Sequence, residues 1–187
     1  MLQYCKFYTK ALRTFAYRVI CYSIIFTEGG GDVNFNIVLF EPEIPQNTGN
    51  IARTCVLTNS KLHLIKPLGF SLEEKHLKRA GLDYWQYLDL EIHESYEAFR
   101  EKYKEGNFYC STTKASHIYT DVKFQQGDFI IFGKESAGLP DYIRNSDPDK
   151  CIRIPMLETS TRSLNLSNTV SIIAYEGMRQ MGFPNMK

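Results

Sequence analysis

Three stretches of the chain concentrate residue types that could hold a ligand or do polar chemistry. In FGKESAGLP (132–140), Gly133 and Gly138 flank Glu135. Glycines allow tight turns and close approach of a ligand to the backbone. The same pattern by itself also fits a plain strand-to-helix turn. In RSLNLSN (162–168), Ser163, Asn165, Ser167 and Asn168 put small polar side chains at a helix start. One or two of them must cap the helix, and the others suit contacts to ribose, carboxylate or amide groups. In EPEIPQNTGNIAR (41–53), Asn47 or Thr48 suits a helix cap, Asn47 equally suits a substrate contact, and Arg53 stands one helical turn after Gly49. Arginine is ordinarily a solvated surface base, but its planar guanidinium also binds phosphate in a bidentate manner.

Several chemistries are excluded by the loops after the strands. There is no G-x-G-x-x-G and no G-x-x-x-x-G-K-[ST], which argues against dinucleotide and P-loop phosphate binding. There is no G-x-S-x-G elbow either. Cys5, Cys21, Cys55, Cys110 and Cys151 are odd in number and widely spaced, with no C-x-x-C, so a reducing, cytoplasmic setting is expected. His63, His76, His93 and His117 form no H-x-x-x-H pair, and no metal site is expected. The formal charge of +1 means that any nucleic-acid site must be a local patch. The best patch is 61–80, where Lys61, Lys66, Lys75, Lys78 and Arg79 face only Glu73 and Glu74. It reads as a phosphate-contacting surface or a solvated helix face. His76 and Tyr84 could stack on unpaired bases; Trp85 is read as core or interface.

These loops need a scaffold, and the pattern supplies one. Strands are expected at Phe35–Phe40, Lys61–Ile65, Tyr87–Ile92, Asn107–Ser111, Asp128–Phe132 and Cys151–Ile154, as short apolar runs. Helices are expected over Ile51–Thr58, Ser71–Arg79 (opened by a Ser71/Glu74 capping box), Tyr96–Tyr103 and Leu166–Met181, the last ended by Gly182 and Pro184. Alternation of this kind gives an α/β fold, a mostly parallel sheet with helices on both faces. Ligands then sit beyond the carboxyl ends of the strands, where the three polar loops fall.

The length of 187 residues suits one domain, expected over 33–187. Residues 1–32 stand apart. Met1–Thr27 carries Lys6, Lys10, Arg13 and Arg18 and no acid. Its apolar run Val19–Phe26 is far short of the roughly 20 residues of a membrane span, and Thr27-Glu28-Gly29 makes a poor signal-cleavage site. Glu28–Val33 is what a purine-rich ribosome-binding site read through in frame would encode, with Val33 as a GUG start. Residues 1–32 are therefore read as upstream sequence or as a loosely docked N-terminal extension.

Taken together, the three loops resemble the SPOUT class of RNA methyltransferases, specifically its small tRNA 2′-O-methyltransferases that modify the wobble nucleotide. The resemblance runs from about Asn36 to Gly182. It rests on 41–53, 132–140 and IRIPM…RSLNLSNTVSIIAYE (152–176), with KLHLIKPLGF (61–70) and LKRAGLDYW (77–85) between them. The stretch Leu157–Thr161 runs slightly longer than the family usually shows. The resemblance implies a deep C-terminal trefoil knot, which general topology rules would argue against. It implies S-adenosylmethionine as cofactor, tRNA as partner, and a homodimer whose site is completed across the interface. It implies that Ser111, Gly133, Ile154, Ser163 and Leu164 line the adenosine pocket, with Pro155 fixing the loop after the strand. Catalytic roles fall to Arg53, Asn47, Glu135, Ser163 and Asn165. RNA contacts fall to Arg53, Lys66, Lys75, Lys78, Arg79 and Tyr175, the last being equally readable as an interface or core aromatic. Arg53 meets the target ribose, and a guanidinium with a pKa above about 12 positions better than it deprotonates. Glu135 or water is left as proton acceptor. Rival readings are the same chemistry at another tRNA or rRNA ribose, a non-catalytic knotted RNA-binding protein, and a flavodoxin-like nucleotide binder. The acidic Glu41-Pro42-Glu43 after the first strand counts against the last.

Overall fold

Six consecutive residues, Phe35–Phe40, form strand β1, and every one is buried. Such a run, apolar on both sides of the pleat, marks a central strand covered on both faces. Phe35, Ile37 and Leu39 join one core cluster, and Val38 and Phe40 join the other, as the two-residue period of a strand requires. The structure is a computed structural model that describes residues 33–71 and 85–187. The expectations for residues 1–32, for the helix beyond Ser71, and for Lys75, His76, Lys78, Arg79 and Tyr84 lie outside the described residues.

The remaining strands are β2 (Lys61–Ile65), β3 (Leu90–His93), β4 (Phe108–Ser111), β5 (His117–Ile118), β6 (Asp128–Phe132) and β7 (Cys151–Arg153). They form one sheet in the order β3-β2-β1-β6-β4-β7-β5, and every pairing is parallel. The helices are α1 (Pro45–Leu57), α2 (Tyr96–Lys102), α3 (Asp141–Arg144) and α4 (Leu166–Gln180). Helices α1 and α4 bring Ile51, Cys55, Val170, Ile173 and Met178 to the first core cluster. Helices α2 and α3 bring Phe99 and Ile143 to the second. This is the expected α/β fold. Val33–Lys187 is one compact unit.

The starts of two elements differ from the sequence reading, and two short elements were not expected. Helix α1 begins at Pro45, not after Asn47; its N-cap is Ile44 with Pro at the first turn. Proline suits that position because its missing N–H needs no partner there. Asn47 and Thr48 are thus buried inside the first turn rather than capping it. Strand β3 starts at Leu90, because Trp85–Tyr87 forms a 3₁₀ turn. Strand β5 and helix α3, two and four residues long, are too short to leave a periodic signal.

A polar chain crosses the second core face. Asn36 Nδ2 donates to the Gly127 carbonyl at 2.8 Å, so its Oδ1 accepts from His63 Nε2 at 3.0 Å. His63 Nδ1 is then left to accept from His93 Nε2, also at 3.0 Å. Burial first, then the charges of His93 and Lys61, push the His63 pKa down to about 3. Glu91 lies beside the pair, so His63, Glu91 and His93 make a ligand-like cluster that the search for H-x-x-x-H pairs did not anticipate. Its atoms are already engaged: Glu91 accepts from Lys102 and Tyr103 and pairs with Lys61. The cluster is accounted for as internal hydrogen bonding.

Candidate active site

The sheet changes direction between β1 and β6. The chain moves outward through β2 and β3 on one side, then crosses to β4 and β5 on the other before β6 fills the place beside β1. Leu39 pairs with Phe132, so the loops after β1 and β6 leave the carboxyl edge side by side. Ligands of such sheets bind at this switch point, and here a cavity of about 420 Å³ opens. That lies within the range of small-molecule sites, roughly 300–1,000 Å³.

Each motif loop contributes a wall. Asn47 comes from α1, Ser111 from the end of β4, Gly133 and Glu135 from the loop after β6, and Ser163, Leu164 and Asn165 from the approach to α4. Residues more than a hundred positions apart meet through one relay. Glu135 Oε1 accepts from Asn47 Nδ2 at 2.9 Å, and Asn47 Oδ1 accepts from Asn165 Nδ2 at 3.0 Å. Asn165 Oδ1 in turn caps α4, accepting from the Ser167 amide and hydroxyl and the Asn168 amide. Of the four small polar residues at this helix start, Asn165 is therefore the cap.

Glu135 also accepts from the Glu43 and Ile44 amides, at 2.9 and 3.3 Å. It does for the start of α1 what a local cap would do, which is why α1 manages without one. Gly133 has a packing reason of its own: a Cβ there would lie 2.1 Å from the Gly138 carbonyl carbon. The loop is folded back on itself, with the Gly138 amide on the Lys134 carbonyl at 2.8 Å and Gly138 at φ +70°. The glycines thus let the cavity wall close, and they present backbone rather than side chain to it.

Other expected site residues fall elsewhere. Ile154 does not line the cavity; it packs on the first core cluster. Arg53 is exposed on α1 and is not among the cavity-lining residues of its own chain. Tyr175 is 41% exposed on α4, and Lys66 pairs with Glu94 at 2.7 Å. The sequence reading missed Thr112, Thr113 and Lys114, Ser136 and Arg144, all of which line the cavity. Thr112–Lys114 directly follow β4, so the rule about carboxyl ends of strands could have found them. Arg144 sits on the unexpected α3, held by Asp141 and the Leu139 carbonyl.

The chain has clear relatives. Residues 34–175 match the SpoU rRNA Methylase family. A tRNA (cytidine(34)-2′-O)-methyltransferase of Escherichia coli K12 is 47% identical over 150 residues, spanning 80% of this chain and 95% of its own length. Its counterpart in Methylovorus glucosotrophus is 49% identical over 150 residues, spanning 80% and 97%. A structure solved for insights into the 2-OH methylation of C/U34 on tRNA is 42% identical, with a TM-score of 0.75, covering 81% of this chain and 99% of that one. Family match, fold and loop chemistry agree, and the chain belongs to the SpoU methylase family.

Proposed function

We propose that this protein is an S-adenosylmethionine-dependent methyltransferase that modifies the ribose 2′-OH of the wobble nucleotide, position 34, in the anticodon loop of tRNA. The observation that carries this reading is the meeting of Asn47, Glu135, Ser163 and Asn165 around one cavity at the β1/β6 switch point. The identity of 47–49% to enzymes of that name supports the substrate.

The cavity fits the cofactor on its own chemistry. Backbone at Gly133, hydroxyls at Ser111 and Ser163, and apolar surface at Leu164 offer what an adenosine needs. These four residues would hold it; Ile154 supports them from the core. The cofactor, when bound, supplies a methyl group already activated on a sulfonium, so no metal is needed to activate it. Both Glu135 oxygens are occupied by donors from Glu43, Ile44 and Asn47. Glu135 therefore holds the cavity wall, and the 2′-OH proton is left to water. Asn165 and Asn47 fix each other's amides and so the distance between the walls. Arg53 holds the ribose phosphate in line for transfer, since alignment alone can supply much of such a rate.

Arg53 lies outside its own chain's cavity lining, which favours a homodimer that completes the site across its interface. Leu57 on α1 and Ile172 and Tyr175 on α4 are exposed apolar groups on two helices bridged by Thr54 and Ser171, and they suit that interface. A trefoil knot would thread the C-terminal part of the chain through a loop. Residues 33–187 are read as the single catalytic domain, and the setting as cytoplasmic; among the described residues no helix is long and apolar enough to cross a membrane. Methyl transfer from labelled cofactor to bulk tRNA lacking 2′-O-methylation, with nucleoside mapping, tests the reading. Label at nucleotide 34 is the expected result. Label at another ribose moves the target, and no binding of the cofactor overturns the reading.

A further inference from the structure

Three consecutive residues after β6 grip the segment that leads from β1 into α1. Lys134 Nζ meets Glu41 Oε2 at 2.8 Å. Glu135 takes the Glu43 and Ile44 amides and the Asn47 side chain. Ser136 answers in the opposite sense: its amide donates to Glu43 Oε2 at 2.9 Å and its hydroxyl to Glu43 Oε1 at 2.7 Å. Glu43 and the Glu135–Ser136 pair thus bind reciprocally, backbone to side chain in both directions. Glu41, at the root of the segment, holds φ at +47°, a left-handed conformation that a non-glycine residue keeps only where its surroundings impose it. On the other side, the Gly69 amide bonds the Pro42 carbonyl at 2.9 Å.

Ser136 also lines the cavity, as do Ile44 at the N-cap of α1 and Asn47 in its first turn. Glu43 itself does not. It therefore reaches the cavity through two lining residues: its carboxylate holds Ser136 and its amide is held by Glu135. The two hydrogen bonds from Ser136 are also the main reason its carboxyl is held below the ordinary value, so the clasp is made by the ionised side chain.

We infer that Glu43 is a positioning residue: through Ser136 it fixes the cofactor wall of the cavity against the first turn of α1, and so sets where Arg53, farther along the same helix, is presented. This inference rests on the methyltransferase reading for its consequence and on the geometry alone for the clasp. A loose clasp leaves cofactor and RNA bound but misaligned, and misalignment lowers the rate of transfer more than it weakens binding.

The test compares Glu43→Ala and Glu43→Gln with the unaltered protein. In steady-state methyl transfer to tRNA, Glu43→Ala should lower kcat by about 10- to 100-fold, with KM for cofactor and tRNA changed less than about 3-fold. Glu43→Gln keeps one carbonyl acceptor for Ser136 and should recover part of that loss. Amide hydrogen exchange on the same variants, without substrate, should quicken at Ser136 and stay unchanged at Val170 and Ile173 in α4. Unchanged exchange at Ser136 overturns the clasp whatever the activity. An unchanged kcat, or a fall in kcat matched by equal rises in both KM values, overturns the positioning role. If the unaltered protein transfers no methyl group, it is the functional reading that fails, and exchange still decides the clasp.

Discussion

Two polar networks in this molecule are each built from three linked side chains and do opposite jobs. In the core, Asn36, His63 and His93 form a chain whose side-chain bonds run inward and end on the Gly127 carbonyl. At the carboxyl edge of the sheet, Glu135, Asn47 and Asn165 form a chain of similar length whose members all border a cavity. Both are connected, and both join segments far apart in sequence. The difference is what lies beside them: packed aromatic rings of Phe99, Tyr103 and Phe129 around His63, open space beside Asn47. A buried network that is satisfied internally specifies the fold. One that holds two loops apart at a topological switch point specifies a site.

Substitutions should separate the two. Arg53→Ala, on the helix that the edge network anchors through Asn47, should lower methyl transfer by on the order of 100-fold or more while cofactor affinity holds, measured by single-turnover kinetics beside calorimetry. Gly133→Ala forces a Cβ to within 2.1 Å of the Gly138 carbonyl carbon, so the loop must open. Cofactor affinity should drop by about tenfold or more, with the β1 core intact by hydrogen exchange. His63→Leu strands the Asn36 acceptor and the His93 donor, at about 1–3 kcal/mol for each group left unsatisfied. Tm should fall by about 5–20 °C, with cofactor affinity unchanged within about twofold. A His63 variant that loses cofactor binding but keeps its Tm would break the contrast.

The pH dependence of stability sharpens it further. His63 is held neutral, its pKa lowered from 6.5 to about 3 by burial, then by His93 and Lys61. Its contribution is complete above pH 6.5 and is lost as the pH falls from there toward 3, by up to about 1.4 kcal/mol per unit. Tm should decline over that window, and His63→Leu should flatten the decline. The smallest effect belongs to Lys66→Ala. Its pair with Glu94 is exposed, so stability should move by less than about 1 kcal/mol.

The core network was illegible in the sequence because its members sit on three different strands, and a search for histidine spacing looks within one element. The strands themselves were legible: FNIVLF and DFIIF are apolar apart from Asn36 and Asp128 because β1 and β6 are covered on both faces. The start of α1 was misread for a related reason. Asn47 has the chemistry of a cap, but the acceptor that satisfies this helix start comes from Glu135, some ninety residues away. The three motif loops were found because each is dense in small polar residues, two of them with glycines among them. Thr112–Lys114 complete their wall from the end of an expected strand, whereas Arg144 depended on α3, which is too short to leave a periodic signal. Ile154 is assigned to the pocket by resemblance; in the structure it follows β7, half-buried, and packs against the first core cluster.

The central claim is that the edge network serves transfer to one hydroxyl. The most direct measurement uses tRNA carrying a 2′-deoxynucleotide at position 34, beside tRNA with the same change at a neighbouring anticodon-loop position, each incubated with labelled S-adenosylmethionine. Label should vanish with the position-34 substrate and persist with the other. Equal labelling of both would contradict the account.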